Sequence, residues 1–197
     1  MNEGLSEEKN EIYYVYKNFY KIGSCIHLIP LTNIKDIIKN INKCSGIIMQ
    51  GGDDYLEIHK EIIKYLYDHD IPLLAICMSM QAMGVLFNGK LGYVSNHKSK
   101  NKYSHIVKIK KNTLLYDIIG EDELIVNSSH KEALNFTDLT VSGYSDCIEA
   151  IEDNKKRFFL GLQWHPEKMI EYDKLEMHIF DYFKEVCYGF RRVNKDN

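Results

Sequence analysis

Apolar runs and helical spacings take turns along the first half of the chain. Within 6–22 the apolar positions Ile12, Val15, Tyr16 and Phe19 recur at helical spacing, and Gly23 is placed to end that helix in a left-handed conformation. A short apolar segment over 25–29 is closed by Pro30, and 33–41 reads as a helix with Thr32 or Asn33 as its cap. The buried strand expected over 46–49 runs into Gln50-Gly51-Gly52-Asp53-Asp54, and a helix is expected over 55–69. An apolar run over 71–76, opened by Pro72, then reads as a strand buried on both faces. After it, Met78, Met80, Gln81, Ala82, Met83, Val85 and Leu86 read as a helix. This alternation over 25–87 predicts an α/β fold, a doubly wound and mostly parallel sheet with helices on both faces.

Beyond Phe87 the pattern changes. Asn88-Gly89 and Leu91-Gly92 signal turns, and short segments rich in β-branched and aromatic residues follow over 103–109, 124–126, 139–141, 148–151 and 158–164. These are expected to add an antiparallel extension to the sheet. Leu175, Ile179, Phe183 and Val186 predict a last helix over 172–187. With no repeat or linker evident, 1–197 is expected to form a single domain with polar, frayed ends at 1–9 and 191–197.

Composition narrows the class. A 45% hydrophobic share of 197 residues supports a sizeable core. The 25 basic and 28 acidic side chains are spread along the chain, so nothing points to nucleic acid or to an anionic membrane. Even the lysine-rich stretch over 98–111 is interleaved with Ser, Asn and Tyr, as in a solvated face. Cys25, Cys44, Cys77, Cys147 and Cys187 are odd in number and contain no C-x-x-C pair, which argues against a disulfide framework or a zinc motif and for a reducing compartment. The first ten residues are too polar for a signal peptide, and nowhere do eighteen apolar residues run together, so the cytoplasm is the expected location. No H-x-x-x-H pair or Cys/His cluster occurs, and His27, His59, His69, His97, His105 and His178 read as surface or packing residues. Neither a metal nor a cofactor is called for.

Cys77 falls in the turn between the strand over 71–76 and the following helix. Such a turn carries the sulfur to the carboxyl edge of the sheet, where free N–H groups of the helix start favour a thiolate. A Cys alone is more often a small buried hydrophobe, so its partners decide. The strand over 158–164 delivers His165 to the same rim, because Pro166 forbids its simple continuation. Glu167, two residues on, can turn back onto the second imidazole nitrogen and fix the tautomer. Gly51 and Gly52 follow another strand and can bring backbone N–H groups close to a developing oxyanion, with the N–H of Met78 as second donor, though a Gly-Gly pair is also a plain turn. Asp53 and Asp54 can cap the next helix. In Val126-Asn127-Ser128-Ser129-His130, polar groups can bind an amino acid head group, or Asn127 and Ser128 can simply shape the turn.

Together these segments resemble the class I glutamine amidotransferase-like superfamily, whose fold is flavodoxin-like. Within it, Gly51-Gly52-x-Asp54 and Asn127-Ser128-Ser129-His130 look most like the gamma-glutamyl hydrolases, including the gamma-glutamyl-gamma-aminobutyrate hydrolases. The similarity runs from about Tyr13 to Phe183. It implies attack of the Cys77 thiol on a gamma-glutamyl carbonyl, with His165 as base and acid, Glu167 orienting it, and Gly52 and Met78 forming the oxyanion hole. Gly51, Gln81, Ser128, Ser129 and His130 would hold the glutamyl head group. Two features depart from the family pattern. Its elbow usually reads Gly-x-Cys-x-Gly, where this chain has Ala75 and Ser79, the smallest replacements and expected to be tolerated. It also usually begins with an apolar strand, which the polar 1–9 cannot supply.

The leading expectation is a hydrolase that cleaves the amide of a small gamma-glutamyl-amine through a thioester, releasing glutamate and the amine. The alternatives are a glutaminase subunit feeding ammonia to a separate synthase partner, and a non-catalytic gamma-glutamyl-binding protein. A homodimer is left open.

Overall fold

The computed structural model of the chain describes residues 29, 33–52, 56–99 and 101–193. The expected helix over 6–22, residues 25–28 of the expected strand, the Thr32 cap, Asp53, Asp54 and the tail after 193 lie outside them.

Each expected element from 33 onward forms, with small shifts at its ends. Helix α1 (Ile34–Ile41) starts at Asn33, whose side chain accepts the N–H of Asp36, and it buries Ile37 and Ile41. Strand β1 (Ile47–Met49), helix α2 (Leu56–Asp68), strand β2 (Leu73–Ile76) and helix α3 (Met78–Leu86) complete the alternating half. In the second half come β3 (Lys90–Tyr93), β4 (His105–Ile109), α4 (Leu114–Ile119), β5 (Glu123–Val126), β6 (Glu132–Phe136), β7 (Thr140–Tyr144), β8 (Ile148–Glu152), β9 (Phe159–Leu162) and α5 (Lys174–Val193). The last helix thus runs on through residues expected to fray. Strand β9 stops at Leu162, two residues short of the expected end, and Pro166–Lys168 form a short 3-10 turn.

Seven strands make one sheet in the order β1-β2-β9-β8-β7-β4-β5, and β3 pairs with β6 in a separate ribbon. Pairings β1–β2 and β2–β9 are parallel, while every pairing from β9 out to β5 is antiparallel. The flavodoxin-like class holds. Among the described residues, the antiparallel extension outnumbers the parallel strands.

All four residues of β2 are buried, and the two-residue strand period sorts them between two cores. Leu74 and Ile76 join Leu160, Leu162 and the apolar sides of α4 and α5 on one face. Leu73 and Ala75 join Phe159, Ile151 and residues of α1, α2 and α3 on the other. Three elements escape the sequence reading. Helix α4 is too short to show periodicity, and it is started by the Thr113 side chain and by the buried Glu152 carboxylate, which accepts the N–H groups of Leu114 and Leu115. Strands β3 and β6 lack alternation and pair across a bulge at Lys90.

The sheet register fixes where chemistry can occur. Met49 aligns with Ala75, and Ala75 with Gly161, so three parallel strands end side by side. The loop at Gln50–Gly52, the turn at Cys77 and the segment Gln163–His165 therefore leave the sheet at one carboxyl edge.

Candidate active site

Cys77 occupies the single position between β2 and α3, with φ 55 and ψ −112. That backbone conformation is costly for any residue with a Cβ, and it aims the side chain off the end of the sheet. The Cys77 N–H donates to the Leu162 carbonyl at 2.7 Å, which ties the turn to β9. Ser79, in the first turn of α3, donates its hydroxyl to the Gln50 carbonyl at 2.5 Å and so fastens the elbow to the Gly51 loop. The residue that replaces the usual glycine is held by a hydrogen bond, while Ala75 packs into the core.

Gly51 lies against the thiol. A Cβ there would fall 3.0 Å from the Cys77 Cβ, 3.5 Å from its Sγ and 3.5 Å from His165 Cε1, so the three residues converge on one small space. Gly52 is exposed beside Met78, whose Cε would lie 3.5 Å from a Cβ at Gly52. Met78 is the first residue of α3, in the turn whose N–H groups the helix itself leaves unpaired.

The 3-10 turn begun by Pro166 swings Glu167 back, and its Oε1 stands 2.7 Å from His165 Nδ1. Burial disfavours charge on the ring, but the Glu167 carboxylate and the hydrogen bond with Cys77 outweigh it and raise the imidazolium to about 10. A protonated ring beside the thiol is the state that holds a thiolate. Glu167 leaves Nε2 as the ring nitrogen free to exchange a proton.

Two further residues fix this arrangement. Asn127 clamps the main chain of His165, donating Nδ2–H to its carbonyl at 2.7 Å and accepting its N–H at 3.0 Å. Gln163 is fully buried, with Nε2 3.7 Å from Cys77 Sγ. Sequence reasoning treats Asn127 as a turn former and Gln163 as a strand residue. Only the paired donor and acceptor geometry marks the first, and only the early end of β9 marks the second.

Of the residues expected around a substrate head group, Gln81, Ser128 and His130 are buried, and the Gln81 and His130 side chains meet at the Glu132 carbonyl. Gln81 is 6% exposed, and its amide donates to the Glu132 carbonyl at 2.7 Å and to Gln163 Oε1 at 3.2 Å. Ser128, 1% exposed, donates its hydroxyl to the His97 carbonyl at 2.6 Å, and His130, 5% exposed, turns its ring toward His97. Of that trio only Ser129 is exposed.

Residues 9–185 match the family described as Glutamine amidotransferase class-I. The chain belongs to that family. Among relatives of this amidotransferase-family chain, a glutamine-hydrolysing GMP synthase subunit of Methanosphaera stadtmanae is 33% identical, over 83% of this chain and 85% of that protein. The GMP synthase subunit of the same name from Archaeoglobus fulgidus is 26% identical, covering 89% and 92% of the two chains. In structure, the glutaminase domain of Trypanosoma brucei CTPS with bound acivicin superposes with a TM-score of 0.72 at 16% identity, over 95% of this chain and 91% of that one. These likenesses establish the family and the fold. They do not single out the gamma-glutamyl hydrolase branch.

No helix among the described residues is long and apolar enough to cross a membrane.

Proposed function

We infer that this amidotransferase-family chain is a cysteine-dependent hydrolase of the gamma-glutamyl amide bond, with a small gamma-glutamyl-amine as substrate. Cys77 Sγ attacks the gamma-carbonyl carbon, and the thiol proton is held by His165. The carbonyl π-bond opens to an oxyanion that takes hydrogen bonds from the backbone N–H groups of Gly52 and Met78. As the tetrahedral species collapses, His165 passes its proton to the amine nitrogen, which leaves with the electrons of the broken C–N bond. A gamma-glutamyl thioester on Cys77 remains. His165 then takes a proton from water, hydroxide adds to the thioester, and glutamate departs as the thiol is restored. The balance requires no cofactor.

The observation that carries this reading is the meeting of Gly51, Cys77 and His165 at one sheet edge, with Glu167 on the far nitrogen of the ring. Gln81 and Gln163 act here as positioning residues, since a buried amide chain runs from the Glu132 carbonyl to the sulfur. The exposed Ser129 and the backbone around it are what the 128–130 segment offers to a substrate head group.

The test is glutamate release from a panel of gamma-glutamyl amides and from glutamine, with Cys77→Ala as control. Turnover of a gamma-glutamyl amide that vanishes in Cys77→Ala supports the reading. A panel left uncleaved by a folded protein, with Cys77 no faster than an ordinary thiol toward iodoacetamide, refutes it.

A second reading, a glutaminase subunit serving a separate synthase, is favoured by the two relatives named as glutamine-hydrolysing subunits of GMP synthase. It predicts that glutamine alone is split, slowly, until a synthase is added.

A further inference from the structure

We propose that His97, His130, Cys147 and Glu149 form a binding site for a divalent transition-metal ion, zinc by the chemistry of the set, apart from the Cys77 site. The four come from three segments: His97 from the loop before β4, His130 from the stretch before β6, and Cys147 and Glu149 from the start of β8. Their ligand atoms all lie within 4.8 Å of one another.

Hydrogen bonds on the outer side of each ring orient both imidazoles. His97 Nε2 lies 2.6 Å from Asp146 Oδ1, and a carboxylate oxygen there accepts, so Nε2 carries the proton and Nδ1 is a lone pair. His130 Nδ1 lies 3.0 Å from the Glu132 carbonyl oxygen, which can only accept, so Nε2 is a lone pair too. These two lone-pair nitrogens face each other at 3.2 Å, with the Ser128 hydroxyl 3.4 Å from His97 Nδ1. Two acceptors at that distance repel unless a cation stands between them, and a proton or a metal ion can serve. A carboxylate or a carbonyl behind each ring is the usual support of a histidine that binds metal.

The remaining donors favour the metal. Glu149 is fully buried, and its Oε2 has no hydrogen-bond partner. Its Oε1 lies 3.5 Å from His97 Nδ1 and 3.3 Å from Cys147 Sγ, and it also receives the Ser145 hydroxyl at 2.9 Å. His105 Nε2 stands 2.9 Å from the same oxygen but off the line a hydrogen bond needs. Zinc bonds of about 2.0–2.1 Å to nitrogen or oxygen and about 2.3 Å to sulfur set tetrahedral ligand separations of about 3.3–3.6 Å. The contacts of 3.3 and 3.5 Å fall in that range and the one of 3.2 Å lies just below it, while the other separations, up to 4.8 Å, must shorten for an ion to be held by all four. Two neutral imidazoles, one thiolate and one carboxylate balance the charge of a dication. Binding releases the Cys147 thiol proton to solvent and forms the S–metal bond. A cleft of about 540 Å3 has His97, one of the four, in its wall together with His105 and Asp146.

Cobalt(II) is the probe. The untagged chain carrying Cys77→Ala, which removes the thiol beside His165, is stripped with chelator and titrated. The proposal expects one equivalent bound, with intense visible d–d bands of a tetrahedral site and a thiolate-to-cobalt charge-transfer band, all bleached by stoichiometric zinc. Adding Cys147→Ser should abolish the charge-transfer band, and adding Asp146→Asn should weaken affinity about 10–100-fold. Binding below about a fifth of an equivalent, or a charge-transfer band unchanged by Cys147→Ser, would overturn it and leave a proton shared between the two rings. The Cys77→Ala protein decides the matter alone should the double variants fail to fold.

Discussion

Replacing Glu176 by Gln should change how stability depends on pH. Glu176 sits on α5 with its side chain fully buried, accepting the Trp164 Nε1–H at 3.1 Å through Oε2, while Oε1 has no hydrogen-bond partner. Burial pushes its carboxyl up to about 8 against the pull of the Trp164 donor, and the charges of Asp173 and Glu167 add to the rise. An acid whose folded value is raised holds its proton more tightly when folded. Its contribution is therefore fully favourable below the unfolded value of 4.5, and it is lost as pH rises toward about 8. At about 1.4 kcal/mol per unit, that window removes on the order of 4–5 kcal/mol from the wild-type protein. Gln cannot ionise, and the cost of its unmatched N–H is the same at every pH. The difference in unfolding free energy, Glu176→Gln protein minus wild type, should thus grow by about that amount between pH 4.5 and pH 8. Urea unfolding read by the fluorescence of Trp164, the only tryptophan, measures it at half-unit steps. Other groups, His165 among them, contribute alike to both proteins and cancel. Profiles that run parallel to within about 1 kcal/mol would mean that Glu176 is ionised in the folded protein, and that its burial is compensated by something other than a proton.

The catalytic reading makes two further predictions beside the Cys77→Ala control. Glu167→Gln keeps the shape but removes the carboxylate that supports the His165 imidazolium, so kcat should fall by about 100-fold or more with KM within about threefold, in steady-state assays of glutamate release. Asn127→Ala removes both bonds to the His165 main chain and should cost about 1–3 kcal/mol in urea unfolding. The same variant should lower kcat about tenfold or more, since the ring would no longer be held in register with the sulfur.

Much of the site is legible in the sequence because covalent order imposes it. A buried apolar run that turns into a helix leaves one place for a protruding side chain, and Cys77 fills it. Pro166 likewise forces a turn after His165, and Glu167 is then within reach by chain geometry alone. The rest depends on contacts between distant segments, which periodicity does not record. Asn127 reads as a turn former until the His165 backbone is seen against it. Gln81, Ser128 and His130 have the polarity of ligand-binding residues, yet their side chains meet main-chain carbonyls in the interior. Helix α4 is invisible for another reason: six residues are too few to show a period, and a carboxylate from β8 completes its start. His97, with five other histidines, reads as a packing or surface residue, because nothing local brings it to Cys147 and Glu149.

The backbone at Cys77 has a consequence for the trade between durability and chemistry. At φ 55 a residue with a Cβ costs on the order of 1–3 kcal/mol that glycine would not. Cys77→Gly should therefore make the chain harder to unfold while leaving it chemically silent. On the proposed mechanism, the fold and the reaction prefer different residues at this position, and the chain carries the one that suits the reaction.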